Sequence, residues 1–234
     1  TLLLRSGIQA GSDVQVHVQT VAWGDFTDPV EPFAGIPMSY GVLEHSDVYG
    51  HTGPGYLIEG VGVQPLSFSV QPQAEGPLHE EILGRYRHLA GALSLVRSTT
   101  RGSVTLKNDR PSIEYPLSAF DAERLADFYR KATEMFLAAG AERVLLGHRK
   151  TRWVTSDPGE LSIGPGQQYL YTAHPFGGAT RGTVCDGVGR VKGQENLWVL
   201  DGSAIPEALG GNPQVTIAAL ALEGARRLSA EAGG

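Results

Sequence analysis

LWVLDGSAIPEALGGNPQVTIAALALEGARRL, residues Leu197 to Leu228, reads as a buried strand, a Gly/Pro-rich turn and a helix. Leu197, Trp198, Val199 and Leu200 are a short continuous apolar run, which suits a strand covered on both faces. Asp201-Gly202-Ser203 ends that run with turn residues. Asn212-Pro213 reads as a helix start, because Asn caps well and Pro fits the first helical position, where no donor is needed. Ile217, Leu220, Ala221, Gly224 and Leu228 then recur at helical spacing, and Arg226 and Arg227 fall in the expected last turn, where cations suit the macrodipole. A strand, a glycine-rich loop and a helix N-terminus together make a place for an electron-rich ligand, since free N–H groups and the positive dipole end converge there.

Working outward, YTAHPFGGATRG places His174 before Pro175 and the pair Gly177-Gly178, on a turn with backbone close around it and no bulky neighbour. HPFGGATRG followed by VCDGVGRVKGQENLWVLDGSAIPEALGGNPQVTIAALALEGARRL resembles the C-terminal signature of the glucose–methanol–choline (GMC) oxidoreductases. The match runs in order and at workable spacing from His174 to Leu228. A string of elements in register is far more specific than any single short motif.

The resemblance implies FAD as cofactor and an alcohol as small-molecule substrate. It places His174 at the family's catalytic histidine and Asn212 at its second position. Oxidising an alcohol removes a hydroxyl proton and a carbon-bound hydride. No side chain accepts a hydride, so a cofactor must. A base with a pKa near ambient pH suits the proton, which favours histidine, and an Asn amide can orient the oxygen without competing for that proton. The resemblance further implies that backbone at Pro213, Gln214 and Val215 meets the flavin's pyrimidine edge, and that Asp201 and Gly202 lie along its ribityl–pyrophosphate chain. A helix N-terminus aimed at the flavin stabilises its negative charge by roughly 0.3–2 kcal/mol.

The opening residues, TLLLRSGI, begin with Thr1 and read like the middle of a longer chain, as does a similar segment halfway along the family's members. The expected fold class is α+β, an α/β remnant. It comprises an antiparallel substrate-domain sheet with flanking helices, plus the C-terminal strand–loop–helix of a Rossmann-like FAD-binding domain. The N-terminal βαβ unit of that domain, with its GxGxxG fingerprint, is absent from the sequence; the nearest approach, Gly187 to Gly193, is spaced GxGxxxG and reads as a hairpin. The expected organisation is 1–22 as the end of the FAD domain or a linker, 23–168 as the substrate domain, and 169–234 as the flavin-site segment. An N-terminal FAD-binding segment is then the expected partner. The alternative is a non-catalytic binding or scaffold domain without flavin.

With 234 residues and a formal net charge of −6, the chain can bury a sizeable core and carries no basic stripe for nucleic acid. No apolar run reaches membrane-spanning length. The one cysteine, Cys185, fits a reducing, cytoplasmic compartment, and Asp186 beside it argues against a reactive thiolate.

The remaining expectations follow the chain. Thr1 to Gly7 ends a short helix. Gly11 to Val21 alternates as a half-buried strand with Gln15, His17 and Gln19 on its polar face; only Gly11 and His17 loosely match a family Gly-x-Asn-Leu-x-x-His segment, so His17 is read as a polar-face side chain. Trp23 to Met38 is a loop forming a lid or pocket wall, resembling branches of the family that take long-chain or bulky alcohols. His45, Asp47 and His51 match no metal signature. Tyr56 to Val70 is one or two strands, and Pro77 to Val96 a helix on the strength of Leu78, Ile82, Leu89 and Leu93. Arg101–Lys107 and Pro111–Pro116 pair across Asn108-Asp109-Arg110, in the substrate-domain sheet that the resemblance implies. Ser118 to Gly140 is a capped helix, and Ala141 to Leu146 a strand.

Overall fold

A computed structural model describes residues 1–46, 55–147, 151–164 and 170–232. Asp47 and His51 lie outside the described residues. In chain order the elements are α1 (Leu2–Arg5), β1 (Gln15–Val18), β2 (Val21–Asp25), β3 (Gly41–Val42), β4 (Tyr56–Val61), α2 (Pro65–Ser69), α3 (Gly76–Gly84), β5 (Leu89–Arg97), β6 (Ser103–Lys107), β7 (Arg110–Glu114), α4 (Ala119–Ala138), β8 (Arg143–Leu146), β9 (Arg152–Val154), β10 (Pro175–Phe176) and α5 (Gln214–Ala232). The chain divides into two interleaved units: residues 1–17, 97–118 and 172–234 form the first, and residues 18–96 and 119–171 the second.

The second unit is built on an antiparallel sheet in the order β3-β4-β5-β2-β8-β9. Strand alternation sorts its side chains between two helical layers. Val21, Trp23, Leu89, Leu93 and Leu145 meet Phe68 of α2 and Ile82 of α3 on one face. On the other face α4 packs against β2, β4 and β8. Its stripe of Leu125, Phe128, Ala132 and Phe136 is buried, as the 3.6-residue period predicts. Gly24 makes this packing possible, because a Cβ there would collide with the Phe136 ring.

Asp25, at the end of β2, is buried and held by Arg85 and by Arg143, the latter at 2.9 Å. The loop after β2 contributes Val30, Pro32, Ile36 and Tyr40 to an open hollow of about 240 Å³ that β4 and β5 also line.

The expected helix over 77–96 is half right. α3 stops at Gly84, a short 3-10 turn follows, and Leu89 to Arg97 is the nine-residue strand β5. The reason is burial: β5 is hydrogen-bonded to β2 on one side and β4 on the other. A strand covered on both faces reads as a continuous apolar run, and the run mimicked a helical stripe. Likewise Tyr56 to Val70 is one strand and then the short helix α2 rather than strand throughout.

In the first unit β1 pairs antiparallel with β10, Gln15 opposite Phe176 and Val16 opposite Pro175. The hairpin β6–β7 turns on Asn108 and Asp109, at φ 50° and 57°, the two left-handed residues of a tight hairpin turn. It forms its own two-stranded sheet and groups with the first unit rather than with the sheet of the second.

The expected strand Leu197–Leu200 does not form. The described residues give it one neighbour: Arg190 bridges Trp198, and the Val199 amide donates to the Gly189 carbonyl oxygen. Nor are its faces covered as a buried strand's would be, since Leu197 to Leu200 are only exposed to half-buried here. α5 begins one residue later than expected. The Pro213 carbonyl oxygen takes the first helical bond, from the Ile217 amide at 2.8 Å, so Pro213 stands at the cap and Asn212 just outside it. At its other end α5 runs on to Ala232, which puts Arg226 and Arg227 inside the helix and not in the last turn.

Candidate active site

His174 is delivered by a backbone that only glycine permits. Gly177 and Gly178 sit at φ 78° and 86°, in the left-handed region. A Cβ on Gly177 would overlap the Asp13 carbonyl oxygen, so the turn after β10 lies directly against the segment entering β1. The Gly178 carbonyl oxygen accepts from the Gly11 amide at 2.6 Å, and the His174 amide donates to the Thr172 hydroxyl at 3.0 Å. The ring is half-buried, and desolvation lowers its pKa below the ordinary histidine value. His174 is therefore neutral at neutral pH, the form a base requires.

The ring faces a second histidine. Nδ1 of His174 lies 3.1 Å from Nδ1 of His17, with the two rings edge-on at 86°. His17 is wholly buried, its ring edge also against Phe176. This overturns its reading as a polar-face side chain. Gln15, His17 and Gln19 are all buried, because both faces of this strand are covered and its polar residues find partners inside. Burial pushes the His17 pKa down to about 4, and the Arg97 charge, like a proton on His174, acts in the same direction. The other ring nitrogen, Nε2, is 2.7 Å from the Leu209 carbonyl oxygen.

That carbonyl belongs to the loop between the Gly202–Ala204 turn and α5. Two more side chains of the first unit hold the same loop. The Ala208 amide donates to Oε1 of Gln15 at 2.8 Å, and Nε of Arg97 donates to the Ala208 carbonyl oxygen at 2.8 Å. Three residues on, Asn212 is exposed and Pro213 buried. The amides of Gln214, Val215 and Thr216 come before the first helical donor, Ile217, so they have no acceptor within the helix.

Asp201 uses its carboxylate locally, accepting from the Ser203 amide at 2.8 Å and the Ser203 hydroxyl at 2.5 Å. Gly202 is buried, and its backbone passes so close to Pro175 that a Cβ would stand 2.9 Å from the Pro175 carbonyl oxygen. The turn that carries Asp201 and Gly202 is thus packed against the strand that follows His174. Burial, with Asp186 next to it, raises the Cys185 thiol pKa, which leaves an inert buried sulfur. Among the described residues no group of three or more metal-binding side chains occurs.

A family model described as GMC oxidoreductase matches residues 98–221, more than half of the chain. The chain belongs to the GMC oxidoreductase family. Among relatives of this GMC protein, an uncharacterised GMC-type oxidoreductase of Mycobacterium tuberculosis is 28% identical over 94% of the chain and 36% of its own length. A long-chain-alcohol oxidase of Arabidopsis thaliana is 27% identical over 92% of the chain and 32% of its own length. The GMC chain therefore spans about a third of the length of these relatives.

Solved structures of similar fold include a pyridoxine 4-oxidase from Mesorbium loti, with TM-score 0.57, 20% identity, and coverage of 94% of this chain and 43% of that one. A formate oxidase of Aspergillus oryzae, in a study of its FAD modification, gives TM-score 0.59 and 16% identity, covering 95% and 48%. At such identity the likeness is one of fold, a mixed α+β architecture with an antiparallel sheet. FAD is the family's cofactor. Among the described residues no helix is long and apolar enough to cross a membrane.

Proposed function

We propose that the whole protein is an FAD-dependent oxidoreductase that oxidises a CH–OH group of a small-molecule alcohol, and that His174 is its general base. One observation carries this reading: in a chain of this family, a half-buried histidine is kept uncharged and is held by a second, wholly buried histidine. A neutral imidazole can take the hydroxyl proton, and its fixed orientation avoids losing the advantage of proximity.

FAD, when bound, supplies the hydride acceptor. The donor set at the start of α5 fits such a group: the amides of Gln214 and Val215 belong to exposed residues and have no helical acceptor. In this reading Pro213, Gln214 and Val215 would hold the flavin's electron-rich edge, and Asp201 and Gly202 would bind the portion leading to the pyrophosphate. Asn212 orients the substrate oxygen with its amide. The proton leaves the hydroxyl for an imidazole nitrogen of His174, and the alkoxide-like oxygen keeps its hydrogen bond from Asn212. The segment from residue 169 onward is then the flavin-site portion. An N-terminal FAD-binding segment completes the cofactor site, and residues 23–168 form the substrate domain.

The test is steady-state turnover by the flavin-loaded whole protein. His174→Ala should cut kcat by about 100-fold or more with flavin still bound. Unchanged turnover removes His174 as the base. Asn212→Ala should produce a smaller loss, because it removes orientation but leaves the base in place.

A further inference from the structure

His17 makes two polar side-chain contacts, and each limits what the other can be. The Leu209 carbonyl oxygen, 2.7 Å from Nε2, can only accept, so Nε2 carries hydrogen. The ring is 0% exposed, lies edge-on to Phe176 and feels the Arg97 charge, a setting that disfavours an imidazolium. A neutral ring with hydrogen on Nε2 has a bare Nδ1 that can only accept. Its partner, Nδ1 of His174 at 3.1 Å, must then be the N–H donor. A neutral His174 with hydrogen on Nδ1 has its lone pair on Nε2.

We infer that His17 is a positioning residue: by accepting a hydrogen bond from Nδ1 of His174 it selects the tautomer whose Nε2 is free to receive a proton, while its own Nε2–H pins the loop that leads to Asn212. This rests on the reading of His174 as the base. The device has the logic of the aspartate in a hydrolase triad, which fixes the tautomer and orientation of its histidine. Here a neutral imidazole takes the carboxylate's place, so no extra negative charge is added beside the base. The loop end is well anchored, because Gln15 and Arg97 hold Ala208 next to the Leu209 carbonyl that His17 holds. His17 thereby links the base to the loop carrying its proposed amide partner. A residue that merely filled the core would need none of this polar matching.

The experiment is a long-range proton–nitrogen correlation spectrum of the flavin-loaded whole protein, labelled with nitrogen-15 histidine, near neutral pH. Protonated and bare ring nitrogens resonate far apart, so each tautomer is read directly. The expected result is hydrogen on Nε2 of His17 and on Nδ1 of His174. Hydrogen on Nε2 of His174, or on both of its nitrogens, overturns the proposal.

Two variants extend the test. His17→Leu offers no acceptor and should let His174 drift to the other tautomer, with kcat reduced ~10–100-fold and KM little changed. His17→Asn restores an acceptor oxygen near the Nδ1 position and should recover the His174 signal and part of the turnover. Loss of turnover in His17→Leu with the His174 tautomer unmoved overturns the positioning role. Should His17→Leu fail to fold, the spectrum of the unmodified protein decides alone. If His174→Ala retains turnover while the spectrum is as expected, the hydrogen-bond assignment is supported and the proton-transfer reading is the one that fails.

Discussion

A histidine ring sealed inside a protein gives up its charge, and the protein carries the cost in acid. His17 has an ordinary pKa of 6.5 in the unfolded chain and about 4 in the folded one. Above pH 6.5 both states are neutral and nothing is lost. Between pH 6.5 and 4 the unfolded chain binds a proton that the folded ring refuses, so stability falls as pH falls. The loss reaches about 3 kcal/mol at the lower end. His174, also depressed by burial, adds to it with the same sign, and Arg97 is the cation acting on His17. The urea midpoint of the protein should therefore drop between pH 7 and pH 4.5, and drop less in His17→Asn; equal drops would show that the ring does not refuse the proton.

At this scale the glycine turn around His174 was legible in the sequence, and the burial of His17 was not. His174 sits beside Pro175 and two glycines, a local signature that needs nothing from elsewhere. The role of His17 depends on partners 157 and 192 residues away. Polar residues at alternate positions mean a wet face only when one side of the strand meets water, and here neither side does.

Among the elements, the turn after β10 offers a sharp test. Gly177→Ala would place a methyl against the Asp13 carbonyl oxygen at a φ of 78°. The cost should be at least about 2 kcal/mol, read as a lowered Tm. A Tm equal to that of the parent would mean that the close approach of β10 to the β1 entry is not needed.

The end of β2 offers a second. Asp25 is buried between Arg85 and Arg143. Asp25→Ala leaves two arginines without their common acceptor and should destabilise the protein by about 3–5 kcal/mol, whereas a loss below 1 kcal/mol would show that water replaces the carboxylate.

Elements with local punctuation were legible. The 118–140 helix was bounded by its own stop glycine, and the hairpin at 103–114 by an Asn-Asp turn. Those defined by neighbours were not. β5 looked helical because it lies between two strands, and Leu197–Leu200 looked like a strand because its apolar run says nothing of whether a second ladder is present.

For the molecule as a whole, membership of the family predicts that the complete protein purifies with the yellow absorbance of oxidised flavin. Substituting Pro213 and Val215 together should lower flavin occupancy without unfolding the second unit, whose core draws on neither residue. Full occupancy in that variant would move the flavin edge away from the start of α5.

The division into units has a further consequence. Residues 1–17, 97–118 and 172–234 make one unit, and residues 18–96 and 119–171 the other, so the chain passes between them at four junctions. On the ribosome, the first imidazole emerges 157 residues before its mate and 192 residues before the Leu209 carbonyl. Until those arrive, a ring built to sit dry is in water and free to charge. Nascent chains of this protein should therefore stay open to proteases around the first imidazole until the Leu209 loop has emerged, and any piece of the message that encodes the pair must span both.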